Sequence, residues 1–116
     1  MKTITFFICF LVCLSVSAQD YYVAPTGTDT PSAGTLANPW RSFQYAISQV
    51  SAGATVYFRG GVYPSSYVVI NKNGNAGNYI KFKNYPIEVP IIDGGNSLQT
   101  LLRITDQSYI IIDGLY

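Results

Sequence analysis

The chain has 116 residues, room for one domain, and is 48% hydrophobic and 15% aromatic with only 11% charged residues. From Gln19 onward six cations (Arg41, Arg59, Lys72, Lys81, Lys83, Arg103) balance six anions (Asp20, Asp29, Glu88, Asp93, Asp106, Asp113), which argues against nucleic acid as a partner, because phosphate binding needs a basic surface. There is no histidine and both cysteines, Cys9 and Cys13, lie near the N-terminus, so the rest of the chain excludes Cys/His zinc sites, cysteine nucleophiles and histidine-based triads.

Residues 1–18 read as an export signal. Lys2 supplies a short positive start, Ile4 to Leu14 is an apolar core, and Val16-Ser17-Ala18 offers small residues before a cut between Ala18 and Gln19. The rival reading is a membrane anchor, but the apolar run falls short of the roughly 20 residues that cross a hydrocarbon core. Neither cysteine follows a small residue, which argues against a lipoprotein signal. The expected location is therefore secreted or cell surface, with no membrane span after signal cleavage.

Tyr21-Tyr22-Val23 reads as a short strand, and Ala24 to Ala37, rich in Pro, Gly, Thr and Ser, as a loop. Asn38-Pro39 reads as a helix start, with Asn as N-cap and Pro at the first helical position. Trp40, Phe43, Ile47 and Val50, with Ala46 beside them, then form one apolar stripe of a helix running to about Val50. Gly53 is placed to close that segment.

After the helix the period changes. Strand-like runs are expected at Thr55–Phe58, Tyr67–Ile70, Tyr79–Lys83, Val89–Ile92, Leu101–Ile104 and Tyr109–Ile112, separated by turns such as Arg59-Gly60-Gly61 and Asp93-Gly94-Gly95. Ile91-Ile92-Asp93-Gly94 recurs as Ile111-Ile112-Asp113-Gly114, a shift of 20, and matching the run at Thr55 with that at Tyr79, Tyr67 with Val89 and Tyr79 with Leu101 gives shifts of 24, 22 and 22. Three strands per repeat describe the coil of a parallel β-helix, in which each coil buries its inward residues by stacking on its neighbours. The expected division is a leader (1–18), an N-terminal strand, loop and capping helix (19–54), and the first coils of the β-helix (55–116). A small antiparallel sandwich is the competitor, but it has no use for a 20-residue repeat or a leading amphipathic helix.

Several stretches carry a family resemblance. Tyr21-Tyr22-Val23-Ala24-Pro25-Thr26-Gly27-Thr28-Asp29 resembles the opening strand and loop of exported pectate-lyase-like β-helix proteins. Asn38-Pro39-Trp40-Arg41-Ser42-Phe43 resembles their cap helix, and residues 53–63 (GATVYFRGGVY) resemble their first strand and turn. Asn84-Tyr85-Pro86 followed by Ile91-Ile92-Asp93-Gly94 is similar to the next coil. The resemblance implies an all-β, right-handed parallel β-helix with an N-terminal amphipathic capping helix, incomplete at its C-terminus. It also implies a polysaccharide partner, acidic and uronate-containing in many relatives. In the enzymes of that superfamily the site lies on middle coils, with a lysine or arginine base and often calcium in the lyases, or a carboxylate cluster in the hydrolases. No position here matches those motifs. No catalytic, cofactor-binding or metal residue is therefore assigned, and calcium is reserved for a full-length parent.

Five features invite a functional reading beside a plainer one. Asp93 and Asp113, one repeat apart, would stack as neighbouring carboxylates and hold calcium; the favoured alternative is that Asp-Gly makes a turn. Asn71 to Gly77 has the alternating polar residues of a calcium loop but no carboxylate, and reads as a polar turn. Lys81 and Lys83 share one strand face and with Arg103 would make a basic patch for a uronate chain, against a solvated row that blunts aggregation. Arg59 is expected to pair with an acid such as Asp29 or Asp93. Trp40 is expected in the core rather than on a sugar ring.

Tyr109 to Tyr116 ends in mid-pattern without a polar closing unit, so the sequence is expected to be the N-terminal fragment of a longer protein. That parent is read as a polysaccharide lyase or hydrolase. The alternative is a non-catalytic surface β-helix such as an adhesin or envelope protein, and a complete small carbohydrate-binding module is the weakest candidate.

Overall fold

The computed structural model describes residues 18–64, 67–97 and 99–116. The expected leader lies outside these residues except for Ala18. The elements in order are β1 (Asp20–Val23), α1 (Phe43–Gln49), β2 (Thr55–Phe58), β3 (Gly61–Pro64), β4 (Val68–Ile70), β5 (Ile80–Asn84), β6 (Pro90–Asp93), β7 (Leu102–Ile104) and β8 (Ile110–Asp113).

Every strand pairing is parallel, and the strands fall into three sheets: A with order β1-β2-β5-β8, B with β3-β6, and C with β4-β7. The chain visits A, B and C in turn and then returns to A beside its previous visit. That path is a parallel β-helix. Alternation along each strand sends one set of side chains inward. In sheet A the inward row is Tyr21, Val56, Phe82 and Ile112, each beside the next in register. Val56, Phe58, Ile80 and Phe82 are at most 1% exposed and share one buried cluster with Val68 and Ile70 of sheet C and with Val23, Trp40, Phe43, Ala46 and Ile47. This core runs without a break across the Ala54–Thr55 boundary.

The stacking step differs from the 20 to 24 residues read from the sequence. Thr55 lies beside Lys81, Gly61 beside Pro90, Val68 beside Leu102 and Ile80 beside Ile110, steps of 26, 29, 34 and 30 residues. Gly60-Gly61 looked like a plain turn, but Gly61 opens β3, so one strand of the first coil went uncounted and the Tyr67 run was matched with the Val89 run instead of the Leu101 run that lies beside it. The two Ile-Ile-Asp-Gly stretches are consequently not neighbours: Ile91 and Ile92 lie in sheet B, Ile111 and Ile112 in sheet A. Ile91 lies beside Val62 on the preceding coil and, on the following one, beside Tyr116, whose N–H donates to Pro90 O (3.1 Å) and whose carbonyl accepts from Ile92 N–H (2.6 Å). The resemblance between the two stretches reflects a shared local shape, a strand ending at a turn, and not a stacking relation.

The helix also starts later than expected. Asn38 is not its N-cap; Ser42 is, and its hydroxyl accepts from Tyr45 N–H. Asp29 causes the shift, because its carboxylate accepts from the N–H groups of Arg41 and Ser42 (2.8 and 3.0 Å) and from the Ser42 hydroxyl (2.8 Å). Residues 38–41 instead run beside β1. Trp40 N–H donates to Tyr22 O, Ala24 N–H donates to Trp40 O, and Trp40 bridges Val23 in parallel. Val50 caps the C-terminal end, and Gly53 lies beyond it. The Lys72 ammonium donates to the carbonyls of Ser48 (2.9 Å) and Val50 (2.6 Å), where a cation suits the negative end of a helix.

Helix α1 closes the first coil in two ways. Phe43 inserts its ring against Phe58 (4.8 Å between centroids) and Phe82 (5.1 Å). Gln44 meets the free edge of β4: its side-chain oxygen accepts from Val69 N–H (3.0 Å) and its amide reaches Val69 O (3.4 Å). One glutamine side chain thus stands in for the missing neighbouring strand and blunts an edge that would otherwise be open to pairing.

Candidate functional site

The outward rows of sheet A bring aromatic and cationic side chains together. Tyr22, Tyr57, Lys83 and Asp113 lie side by side in register, as do Asp20, Thr55, Lys81 and Ile111. The Tyr22 and Tyr57 rings stack at 5.6 Å, and Tyr85, at the corner after β5, sets its edge against Tyr57 at 6.3 Å. Among the described residues Lys81 and Lys83 enter no ion pair. The Tyr22 hydroxyl is pushed above its usual range by partial desolvation and by the nearby Asp20 carboxylate.

Arg59 and Glu88 border this surface. Arg59 Nε donates to both Glu88 oxygens (2.9 and 3.2 Å), Nη2 donates to Oε2 (3.0 Å), and Gly60 N–H donates to Oε1 (2.8 Å). The guanidinium lies 4.5 Å over the Tyr85 ring. These donors hold the Glu88 carboxyl below its usual value, Arg59 contributing most and Gly60 N–H next; the same hydrogen bond raises Arg59. A cleft of about 420 Å³ opens beside the pair, walled by Pro25, Leu36 and Pro39. The sequence offered Asp29 or Asp93 as the Arg59 partner. Asp29 is held by the helix N-terminus instead, and Asp93 accepts from Gly95 N–H (2.9 Å).

That last bond is the turn geometry favoured for Asp93. Asp93 and Asp113 end strands of different sheets, so the stacked carboxylate pair does not form. Among the described residues no three Asp, Glu, His or Cys side chains converge. The described residues therefore do not fit a calcium site of the kind the sequence resemblance implies. The 71–77 segment is a tight polar turn: Asn75 and Asn78 exchange backbone hydrogen bonds, and Asn73 Oδ1 accepts from Ser108 N–H (2.7 Å) of the next coil. Arg103 is on sheet C and donates to Thr105, away from Lys81 and Lys83, so the three-residue basic patch is reduced to two lysines. Trp40 is 2% exposed, stacked on Tyr21 at 4.9 Å, with its indole N–H on Thr30 O. It is a core residue, reached from an extended segment rather than from the helix.

The comparisons with known proteins agree with this architecture. A family model described as the Pel9A-like, right-handed beta helix region matches residues 21–116. Pectate lyase PEL9 of Emericella nidulans is 44% identical, over 69% of this chain and 20% of its own length. Pectate lyase L of Paenibacillus polymyxa is 34% identical, over 68% of this chain and 18% of its own. The chain thus spans about a fifth of the length of these curated relatives. Among solved structures, a rhamnogalacturonan lyase superposes with a TM-score of 0.70 at 25% identity, covering 84% of this chain and 28% of the other. With its three parallel sheets and a match over nearly all of the described residues, the chain belongs to the Pel9A-like right-handed β-helix family.

Proposed function

We propose that this chain forms the opening coils of an exported polysaccharide-acting protein of the lyase type, and that residues 19–116 serve as scaffold and chain-binding surface rather than as the catalytic centre. The observation that carries this is the pectate lyase similarity of a stretch in which, among the described residues, no cation sits beside a group of carboxylates. A lyase base must reach a proton and a stabilised anion together. Here Lys72 is spent on helix carbonyls and Arg59 on Glu88. Asp29, Asp93 and Glu88 are each held by backbone N–H groups. Acidic polysaccharide as the partner, secretion, and calcium elsewhere in a longer protein are parts of the same proposal.

The test is to incubate the purified chain with polygalacturonate, alginate and chondroitin, with and without calcium, and to follow ultraviolet absorbance of unsaturated products. The expected result is none. Measurable turnover would place a catalytic centre within these coils and overturn the scaffold assignment.

A further inference from the structure

We infer that the outward face of sheet A, formed by Tyr22, Tyr57 and Tyr85 together with Lys81 and Lys83, binds a segment of uronate-containing polysaccharide as an anchoring site separate from catalysis. This rests on the polysaccharide-acting reading above and names the surface that would serve it. Three observations converge on the face. The rings cluster, Tyr22 stacked on Tyr57 at 5.6 Å and Tyr85 set edge-on to Tyr57 at 6.3 Å with the Arg59 guanidinium over its ring. Among the described residues none of their three hydroxyls has a protein hydrogen-bond partner, whereas Tyr21 and Tyr63 are both engaged. Lys81 and Lys83 rise from the next strand, Lys83 directly beside Tyr57 and Lys81 beside Thr55.

The chemistry fits a carboxylated sugar chain. A sugar ring is apolar on its C–H faces and polar at its edge. Tyrosine offers a flat apolar face with a polar tip. The two ammonium groups, both on one side of β5, are placed to meet carboxylates on adjacent sugars. Asp20 and Asp113 stand on the first and last strands of the same rows and bound the cationic stretch. Glu88 is already neutralised by Arg59. Coil stabilisation alone accounts for the stacked tyrosines, but it does not call for two lysines left without partners beside them.

The test is a titration of the isotope-labelled chain with polygalacturonate oligomers, read by amide chemical shifts, with neutral xylan oligomers in parallel. Shift changes are expected at Tyr57, Lys81, Lys83 and Tyr85. The double substitution Lys81→Gln, Lys83→Gln, at outward positions outside any ion pair, should leave thermal unfolding unchanged and weaken binding about tenfold. Tyr57→Leu keeps apolar packing, removes the flat ring, and should weaken binding similarly. Changes that map to another face, or undiminished affinity of the lysine variant, overturn this site while leaving the polysaccharide-acting reading standing. Equal response to neutral xylan overturns the acidic preference. No response to either sugar overturns the site, and the reading above is then judged by the lyase assay alone.

Discussion

Arg59 and Glu88, 29 residues apart, are joined by a forked ion pair that ties the corner of the first coil to the corner of the second. Both side chains remain about a third exposed (36% and 29%), so the pair is expected to fix geometry more than to supply stability.

The pH dependence follows from Glu88. Its folded pKa is depressed below the unfolded value of 4.5, by Arg59 first and Gly60 N–H second. A depressed carboxylate contributes stability that is present above its unfolded pKa and lost as pH falls toward its folded pKa. Thermal unfolding should therefore fall in temperature below about pH 4.5, and Glu88→Gln should flatten that decline. Parallel declines in the two proteins would assign the acid sensitivity to other carboxylates.

Removing the strand surrogate should expose β4. Gln44→Leu leaves Val69 N–H and C=O without their side-chain partner, at a cost of about 0.5–1.5 kcal/mol because water reaches these exposed groups. The expected readouts are a lower unfolding temperature and faster hydrogen exchange at Val69. An unchanged exchange rate at that amide would mean the glutamine does not guard the edge.

Ile87 is fully exposed yet sits at φ 61°, in the left-handed region that a β-branched residue rarely adopts. Ile87→Gly relieves that conformation without removing any buried contact. It should stabilise the fold by about 1 kcal/mol, a rise of roughly 4–8 °C in unfolding temperature for a domain of this size. A fall in Tm would show that the corner is held by the isoleucine itself.

Gly27 is where the loop passes closest to the Trp40 segment. A methyl group added there would lie 2.5 Å from Pro39 O and closer still to Trp40 O, both backbone atoms that cannot turn aside. Gly27→Ala should cost on the order of 1–3 kcal/mol and quench the ordered environment of Trp40, visible as a red shift of its fluorescence. Gly77→Ala meets no atom within 4 Å, so its cost is limited to the positive φ of 75°.

The parallel β-helix was legible in the sequence because short alternating runs between turn residues, led by one amphipathic stripe, admit few other arrangements. Phe43, Ala46, Ile47 and Val50 were read correctly as a buried face for the same reason. The coil length was not legible. It depends on β3, whose Gly61-Val62-Tyr63-Pro64 carries two residues typical of turns, and on corners of unequal length. The helix start was missed because a local signal, Asn38-Pro39, lost to a distant one, the Asp29 carboxylate twelve residues before Arg41. The tyrosine cluster was hidden because Tyr22, Tyr57 and Tyr85 meet only through the sheet A register and its corner. Glu88 was overlooked as the Arg59 partner for a similar reason: nothing near Arg59 in sequence marks a corner of the following coil.

The unequal steps between stacked strands carry an evolutionary and practical consequence. Pairing is set by the ladder and the inward residues, not by a fixed count, so the connecting corners are free to change length while the wall stays in place. The Asn75–Asn78 corner closes on itself through its own backbone bonds, and lengthening such a closed loop costs little entropy. Foreign peptides spliced between Ala76 and Gly77 should be displayed on the outside of the solenoid without disturbing the coils on either side.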